Sequence, residues 1–397
     1  MDSRWTYLDY NATAPVRPEV VARVAEAMTI GGNPSSVHRF GRLACAFVDR
    51  ARDAVGGLVG AEAEQVLFTS GATEANTLGL RSLARHAAPG GRACAASRIL
   101  ISAIEHDSVL GAAHTLDLPV ETVPVTAGGV LDLGALDKML GAGGTPVVAL
   151  MLANNETGVL QPVAEVATRV HAVGGTLHCD AVQAAGRVPL DLDALGADTL
   201  VVSSHKLGGP MGAGALIVRN LTLVSPMLVG GGQERGLRAG TENVAGLAGF
   251  GLAAELALSD VANSNKIKAL RDDLENRLHV IAPAAQVFGA DAERIPNTTC
   301  LALAGLDNET QVIALDLAGV AVSAGAACSS GKVAAPRVLR AMGAPEALAK
   351  AAIRVSLGWA STAADIDRFC AAWSEFVARH AARAVAPNPY SRAAGAQ

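Results

Sequence analysis

The alternation of two periodicities constrains this chain more than any other feature. Short apolar runs at residues 66–69, 99–102, 146–152, 176–180 and 199–203 are separated by stretches with apolar residues at helical spacing, such as 18–28, 43–58 and 162–173. The last of these opens on Pro162 and stops at Gly174-Gly175, matching the preference for proline at a helix start and glycine past its end. Parallel strands need long crossovers, and a helix between them supplies one. The order therefore predicts an α/β fold with a mostly parallel sheet flanked by helices.

The run 199–203 ends abruptly in Ser204-His205-Lys206 and then dissolves into glycines. Lys206 falls at the carboxyl edge of the sheet, where open α/β sheets bind their ligands. Read locally, it is either a solvated lysine or an amine that forms a Schiff base. The other runs end in polar residues too. After 66–69 comes Ser70-Gly71-Ala72-Thr73-Glu74-Ala75-Asn76, an ordinary strand-to-helix turn or a helix start offering N–H groups and the Thr73 hydroxyl to an anion. His106 follows the run 99–102, as a helix cap or as a flat ring beside a ligand. Asn154-Asn155 follow the run 146–152, as a turn or as amides presented to a ligand. The run 176–180 closes on the carboxylate of Asp180, with Gln183 just beyond. Together these groups put an anion cradle, an imidazole, a carboxylate and an amine on one sheet edge. A phosphorylated pyridine aldehyde requires that set.

Composition narrows the alternatives. Half of the 397 residues are hydrophobic and 17% are charged, which excludes disorder and leaves room for two domains. A net charge of −5 without any Lys/Arg cluster excludes a nucleic-acid surface. No apolar run approaches the ~20 residues of a membrane span, and the first residues carry neither a long apolar core nor a cleavage signal. The six cysteines (Cys45, Cys94, Cys179, Cys300, Cys328, Cys370) never form a Cys-x-x-Cys pair, so neither a metal site nor a secreted disulfide framework is expected. A cytoplasmic protein with reduced thiols follows as the expectation.

Beyond the glycine-rich loop from Gly230 to Thr241 the pattern changes near Ser259, and Asn263-Ser264-Asn265-Lys266 is the best linker candidate. The remainder reads as a smaller α+β domain, with a disordered tail expected over residues 387–397. Gly325-Ala326-Ala327-Cys328-Ser329-Ser330-Gly331-Lys332 has the outline of a nucleotide-binding loop. It fails twice, because Ala326 and Val333 stand where that loop needs glycine and Ser/Thr.

These motifs, taken in order, resemble the cysteine desulfurases of the NifS/IscS type, within the class V aminotransferases of pyridoxal-phosphate (PLP) fold type I. The resemblance runs from Tyr7-Leu8-Asp9-Tyr10-Asn11-Ala12-Thr13 to Arg354-Val355-Ser356-Leu357-Gly358. It includes Thr69-Ser70-Gly71-Ala72-Thr73-Glu74, Asn154-Asn155-Glu156-Thr157-Gly158, Asp180-Ala181-Val182-Gln183, Ser203-Ser204-His205-Lys206, the loop to Thr241, and Ser323-Ala324-Gly325-Ala326-Ala327-Cys328-Ser329-Ser330. It implies a large PLP-binding domain over residues 15–259 with a seven-stranded type of sheet. Residues 1–14 and 260–397 would make a small domain with a mobile loop at about 323–335 carrying the catalytic cysteine.

The resemblance also implies roles. Lys206 carries PLP as a Schiff base and moves protons at the substrate's α-carbon; Asp180 pairs with the pyridinium nitrogen, Gln183 bonds the phenolic oxygen, and His106 stacks on the ring as an acid/base. Ala72, Thr73, Ser203 and His205 hold the phosphate, and Thr241 reaches the phosphate of a neighbouring subunit, implying a homodimer with shared sites. Arg354 with Asn155 clamps the carboxylate of the substrate L-cysteine, and Asn11 belongs to the same substrate site. Cys328 takes the sulfur as a persulfide, leaves L-alanine, and passes the sulfur to an acceptor or iron–sulfur scaffold protein. The length from Cys328 to Gly343 matches the NifS/IscS branch rather than the shorter-looped SufS branch. Two departures stand out: Ala14 replaces the usual threonine, and residues 386–397 lack the aromatic-acidic ending with which many members engage a scaffold. Selenocysteine lyase, or another class V aminotransferase, is the alternative reading.

Overall fold

The computed structural model describes residues 5–85, 96–325 and 337–385. Cys94, Cys328 with most of the expected 323–335 loop, and the tail from residue 386 lie outside the described residues.

The chain starts with a two-residue strand, Thr6–Tyr7 (β1), and two helices, Pro18–Thr29 and Arg39–Val59. It then builds β2 (Val66–Thr69), β3 (Arg98–Ser102), β4 (Val120–Val123), β5 (Pro146–Met151), β6 (Thr176–Asp180), β7 (Thr199–Ser203) and β8 (Gly214–Val218). These seven form one sheet in the order β2-β8-β7-β6-β5-β3-β4. All pairings are parallel except those of β8, which runs antiparallel to both β2 and β7. Strands β2, β3, β5, β6 and β7 are buried at every position, as a sheet covered on both faces requires.

Strand β8 was not anticipated by the sequence, because a glycine-rich stretch leads into its short apolar run. It arises because the chain turns back directly after Lys206 and pairs Ser203 with Gly214. Lys206 therefore sits in the hairpin connection between β7 and β8 rather than in a crossover. Its backbone is a single 3₁₀ turn, Ser204–Lys206, closed by the Leu207 N–H donating to the Ser204 carbonyl at 3.0 Å.

Helix Val244–Val261 has a length and apolar composition that by themselves would suit a membrane span, which revises the expectation of no such run. In the fold it covers the first two helices, with Phe250, Ala253 and Ala254 fully buried in the core of the large sheet. The expected linker is only a break: Ala262 and Asn263 separate this helix from Ser264–Ile281, and the Lys266 N–H already donates to the Asn263 carbonyl.

A second core follows, built on a three-stranded antiparallel sheet of β9 (Gln286–Val287), β10 (Thr298–Ala302) and, after a short β11 (Val320–Ala321), β12 (Ala352–Ser356). Leu274, Leu278, Leu315, Ile366, Phe369 and Trp373 fill it. Strand β1 pairs in parallel with β11, and Leu8 joins this second core, so the N-terminal segment packs with the C-terminal third of the chain. That return path carries Asp9, Asn11 and Ala12 across the boundary between the two cores, to where Lys206 emerges.

Candidate active site

A cavity of about 620 Å³ opens at the carboxyl ends of β2, β3, β5, β6 and β7. Ala72, Thr73, His106, Asn155, Asp180, Gln183, Ser203, His205 and Lys206 line it from the large sheet, Asn11 from the N-terminal segment, and Arg354 from β12. Of the residues expected at the site, Thr241 alone among those described lies elsewhere, exposed on the loop before helix Val244–Val261.

The Lys206 amine donates to the backbone carbonyls of Asn11 at 2.6 Å and Ala12 at 2.7 Å. Gln183 Nε2 donates to the same Asn11 carbonyl at 2.9 Å, while its Oε1 accepts from Arg187 at 2.6 Å. Both hydrogens of the Asn11 side-chain amide serve the protein itself, on the Asn155 carbonyl and Thr298 Oγ1. Its contribution at Lys206 thus comes through the main chain.

Asp180 ends β6 and is held from two sides. Oδ1 accepts from the Val182 N–H at 3.0 Å and Oδ2 from Asn76 Nδ2 at 2.9 Å. The anion end of the cavity is the start of helix Ala72–Arg85, whose first N–H groups have no partner within the helix. Gly214, opening β8, lets that turn come close: a Cβ there would lie 2.7 Å from the Gly71 Cα. Glu74 anchors the same turn, accepting from Ser70 and from Arg238 of the glycine-rich loop, which holds it below the usual carboxylate range. His106 caps helix Asp107–His114 through Nδ1, which accepts from the Ser108 N–H at 3.1 Å. Burial, the Lys206 ammonium and the Arg187 guanidinium push His205 down to about 4, so it is a neutral imidazole near neutral pH.

Arg354 is 2% exposed. Its Nη2 donates to Asp9 at 2.7 Å and its Nη1 to the Asn155 carbonyl at 3.0 Å, while Nε is buried without a partner among the described residues. Its backbone exchanges two hydrogen bonds with Ser323. On the far side of residues 326–336, Arg337 donates to the carbonyls of Ala103 and Glu105. Both described ends of that segment therefore sit beside the cavity.

Sequence reasoning passed over several buried polar groups. Asn76, His178 and Thr199 are fully buried behind Asp180, and Glu105 and Glu156 are buried carboxyls each with one unpartnered oxygen. The available signal was periodicity: His178 lies two residues before Asp180 on one face of a strand, and Asn76 interrupts the buried face of its helix.

Burial pushes the Glu156 carboxyl up to about 7. Its folded-state value lies above the unfolded one, so its contribution to stability is fully present below about 4.5 and is lost as pH rises through about 7. The shift corresponds to ~3 kcal/mol. Glu156→Gln, which has no proton to lose, is therefore expected to hold its melting temperature better than the parent as pH rises from about 4.5 to about 8. Identical pH profiles of melting for the two proteins would refute this.

Residues 6–369 match the class-V aminotransferase family. The chain is 43% identical over 368 residues to the cysteine desulfurase of Cereibacter sphaeroides, covering 91% of this chain and 93% of that one. It is 41% identical over 386 residues to the cysteine desulfurase of Trichormus azollae, covering 96% and 94%. The NifS-like protein from Rickettsia africae has the same fold, with a TM-score of 0.85 at 33% identity over 94% of this chain and 99% of that chain. The protein belongs to the class-V aminotransferase family, whose members depend on PLP. Within it, the chain groups with the NifS-like cysteine desulfurases and has their type I fold.

The residues present fit PLP. The helix start at Ala72 suits a phosphate, Asp180 offers a fixed carboxylate for a ring nitrogen, and Lys206 is an amine for the aldehyde. The cavity falls within the usual ~300–1,000 Å³ of cofactor and small-ligand sites.

Proposed function

We propose that the protein removes the sulfur of L-cysteine, releasing L-alanine, and hands the sulfur on through Cys328. One observation carries this reading: an amine, a held carboxylate, a helix start and a buried guanidinium converge on one cavity.

Bound there, PLP supplies an electron sink for bonds broken at the substrate's α-carbon. Ala72, Thr73, Ser203 and His205 would hold its phosphate, Asp180 its ring nitrogen and Gln183 its phenolic oxygen, with His106 beside the ring. Arg354 orients the substrate carboxylate beside Asn155, and Asn11 steadies the amine of Lys206 through its carbonyl. Lys206 takes the α-proton and returns protons to carbon. The Cys328 thiolate attacks the substrate sulfur; the carbon–sulfur bond breaks, the carbon gains a proton, and Cys328 keeps the sulfur as a persulfide. A thiol reductant or an acceptor protein, in iron–sulfur assembly or another sulfur-transfer route, then removes it. Ser323 beside Arg354 and Arg337 beside Glu105 support a Cys328 segment that serves this cavity.

The exposure of Thr241 on its loop, together with exposed Met28, Val37, Phe40 and Leu43, supports a homodimer in which Thr241 completes the partner's phosphate site. The reading also keeps the protein in the cytoplasm, where thiols stay reduced.

PLP-loaded protein given L-cysteine and a reductant should yield alanine and sulfide in equal amounts. Cys328→Ala should keep the visible absorbance band and lose at least ~10³-fold in alanine formation, as removal of a nucleophile does. Full alanine formation by that variant would overturn the persulfide route. A strong preference for selenocysteine would favour the lyase.

A further inference from the structure

Behind the cavity, Asp180 and His106 are linked by a hydrogen-bonded chain whose other members have no assigned role. His178 and Asp180 lie two residues apart on β6 and so face the same side of the sheet, under helix Ala72–Arg85. His178 Nδ1 lies 2.8 Å from Thr199 Oγ1 on β7, directly opposite in register, and its Nε2 lies 2.9 Å from Asn76 Oδ1. Asn76 Nδ2 donates to Asp180 Oδ2 and to Ser108 Oγ, each at 2.9 Å. Ser108 Oγ lies 2.8 Å from His106 Nδ1.

Donor counting gives this chain one direction. Both Asn76 hydrogens are engaged, on a carboxylate oxygen and a hydroxyl, so its Oδ1 faces His178 and can only accept. The His178 proton therefore sits on Nε2, and its Nδ1 accepts from the Thr199 hydroxyl. Burial holds His178 down to about 3, so it carries no second proton to blur the assignment. At the other end, His106 Nδ1 accepts from the Ser108 N–H and so has no proton of its own. Ser108 accepts from Asn76 and donates its hydroxyl proton to His106. The His106 proton is left on Nε2.

The helix is shaped for this ring. A Cβ on Gly79 would lie 2.7 Å from His178 Cε1, so only glycine permits the approach, at a typical cost of ~1 kcal/mol against alanine within a helix. A reversed Asn76 amide would turn its oxygen toward the Asp180 carboxylate, two acceptors face to face. His178 reinforces the same orientation by supplying the donor Oδ1 needs.

We propose that His178 is a positioning residue: through Asn76 it fixes at once the Asp180 carboxylate and the tautomer of His106, the two groups that meet the cofactor ring. The proposal rests on the PLP reading of the site. A leucine at 178 removes the donor to Asn76 Oδ1, leaving that buried oxygen unpaired and the Asn76 side chain less firmly held, which weakens Asp180's hold on a protonated ring nitrogen. With less positive charge on the ring, the nitrogen contributed by Lys206 becomes more basic.

The test uses the full-length, PLP-loaded protein and titrates its visible band with pH. In His178→Leu the midpoint should rise by about one unit and bound PLP should be lost faster. kcat should fall ~10- to 100-fold, a typical size for a supporting hydrogen bond, with KM for cysteine nearly unchanged. His178→Gln, whose amide can still donate to Asn76, should return toward the parent in all three. Thr199→Val, a milder change that keeps the ring in place, should shift the midpoint in the same direction and serves if the leucine variant does not fold. A parental midpoint in folded His178→Leu and Thr199→Val, or a glutamine variant as impaired as the leucine one, would overturn the proposal. A parent protein with no borohydride-sensitive band would instead remove the PLP reading beneath it.

Discussion

Lys206→Ala is expected to give a folded, colourless protein with at least ~10⁴-fold less turnover of L-cysteine. Lys206 is the only lysine among the described residues lining the cavity. The carbonyls of Asn11 and Ala12 hold its nitrogen against the site, and these belong to the N-terminal segment that returns from the second core. Alanine leaves those two carbonyls without the amine, at ~1–2 kcal/mol, well short of unfolding a domain of this size. Absorbance before and after borohydride, with peptide mapping of the reduced protein, checks the outcome. A bleachable band retained in Lys206→Ala, or a modified peptide that lacks Lys206, would assign the Schiff base to another residue.

The second large effect is expected at Arg354. The side chain is all but inaccessible, and its charge is balanced by Asp9 at 2.7 Å. Removing it with alanine would leave Asp9 unpaired in a largely buried place, at ~3–5 kcal/mol, and the melting temperature should drop steeply. Arg354→Lys separates binding from folding. Lysine keeps a positive charge near Asp9 but cannot present the planar fork that a guanidinium offers a carboxylate. The lysine variant should stay folded and lose ~10²-fold in kcat/KM for L-cysteine, mostly through KM, the size of a lost charge-assisted pair. Steady-state kinetics beside a thermal melt decides it. An unchanged KM in the folded lysine variant would remove Arg354 from the substrate site and leave it a structural partner of Asp9.

Both residues were legible in the chain, for different reasons. Lys206 stands out because an apolar run stops in a polar cluster, and a sheet edge is where such a cluster can do chemistry. Asp180, Asn155 and the Gly71–Thr73 turn follow the same rule, which is local in sequence and survives without coordinates. Arg354 carried no such local mark, since a guanidinium inside a strand reads equally well as an edge residue. Only the resemblance pointed to it. Asn76 and His178 escaped altogether. A buried polar residue is visible in sequence as a break in a pattern, but its partners lie on other elements: Asn76 meets residue 108 on one helix and residues 178 and 180 on β6. Strand β8 escaped because glycines ahead of it hide a hairpin whose pairing is made across the sheet rather than along the chain.

The sequence by itself determined the α/β class, the strand ends that line the cavity, and the position of Lys206 among them, because each follows from short-range periodicity. Tertiary structure alone decided what surrounds that amine. The N-terminal segment pairs with β11 and brings the carbonyls of Asn11 and Ala12 to Lys206, while β12 brings Arg354 to Asp9 and Asn155. Those contacts join residues hundreds of positions apart, and the burial that makes their charges and hydrogen bonds count exists only once two separate cores have packed together.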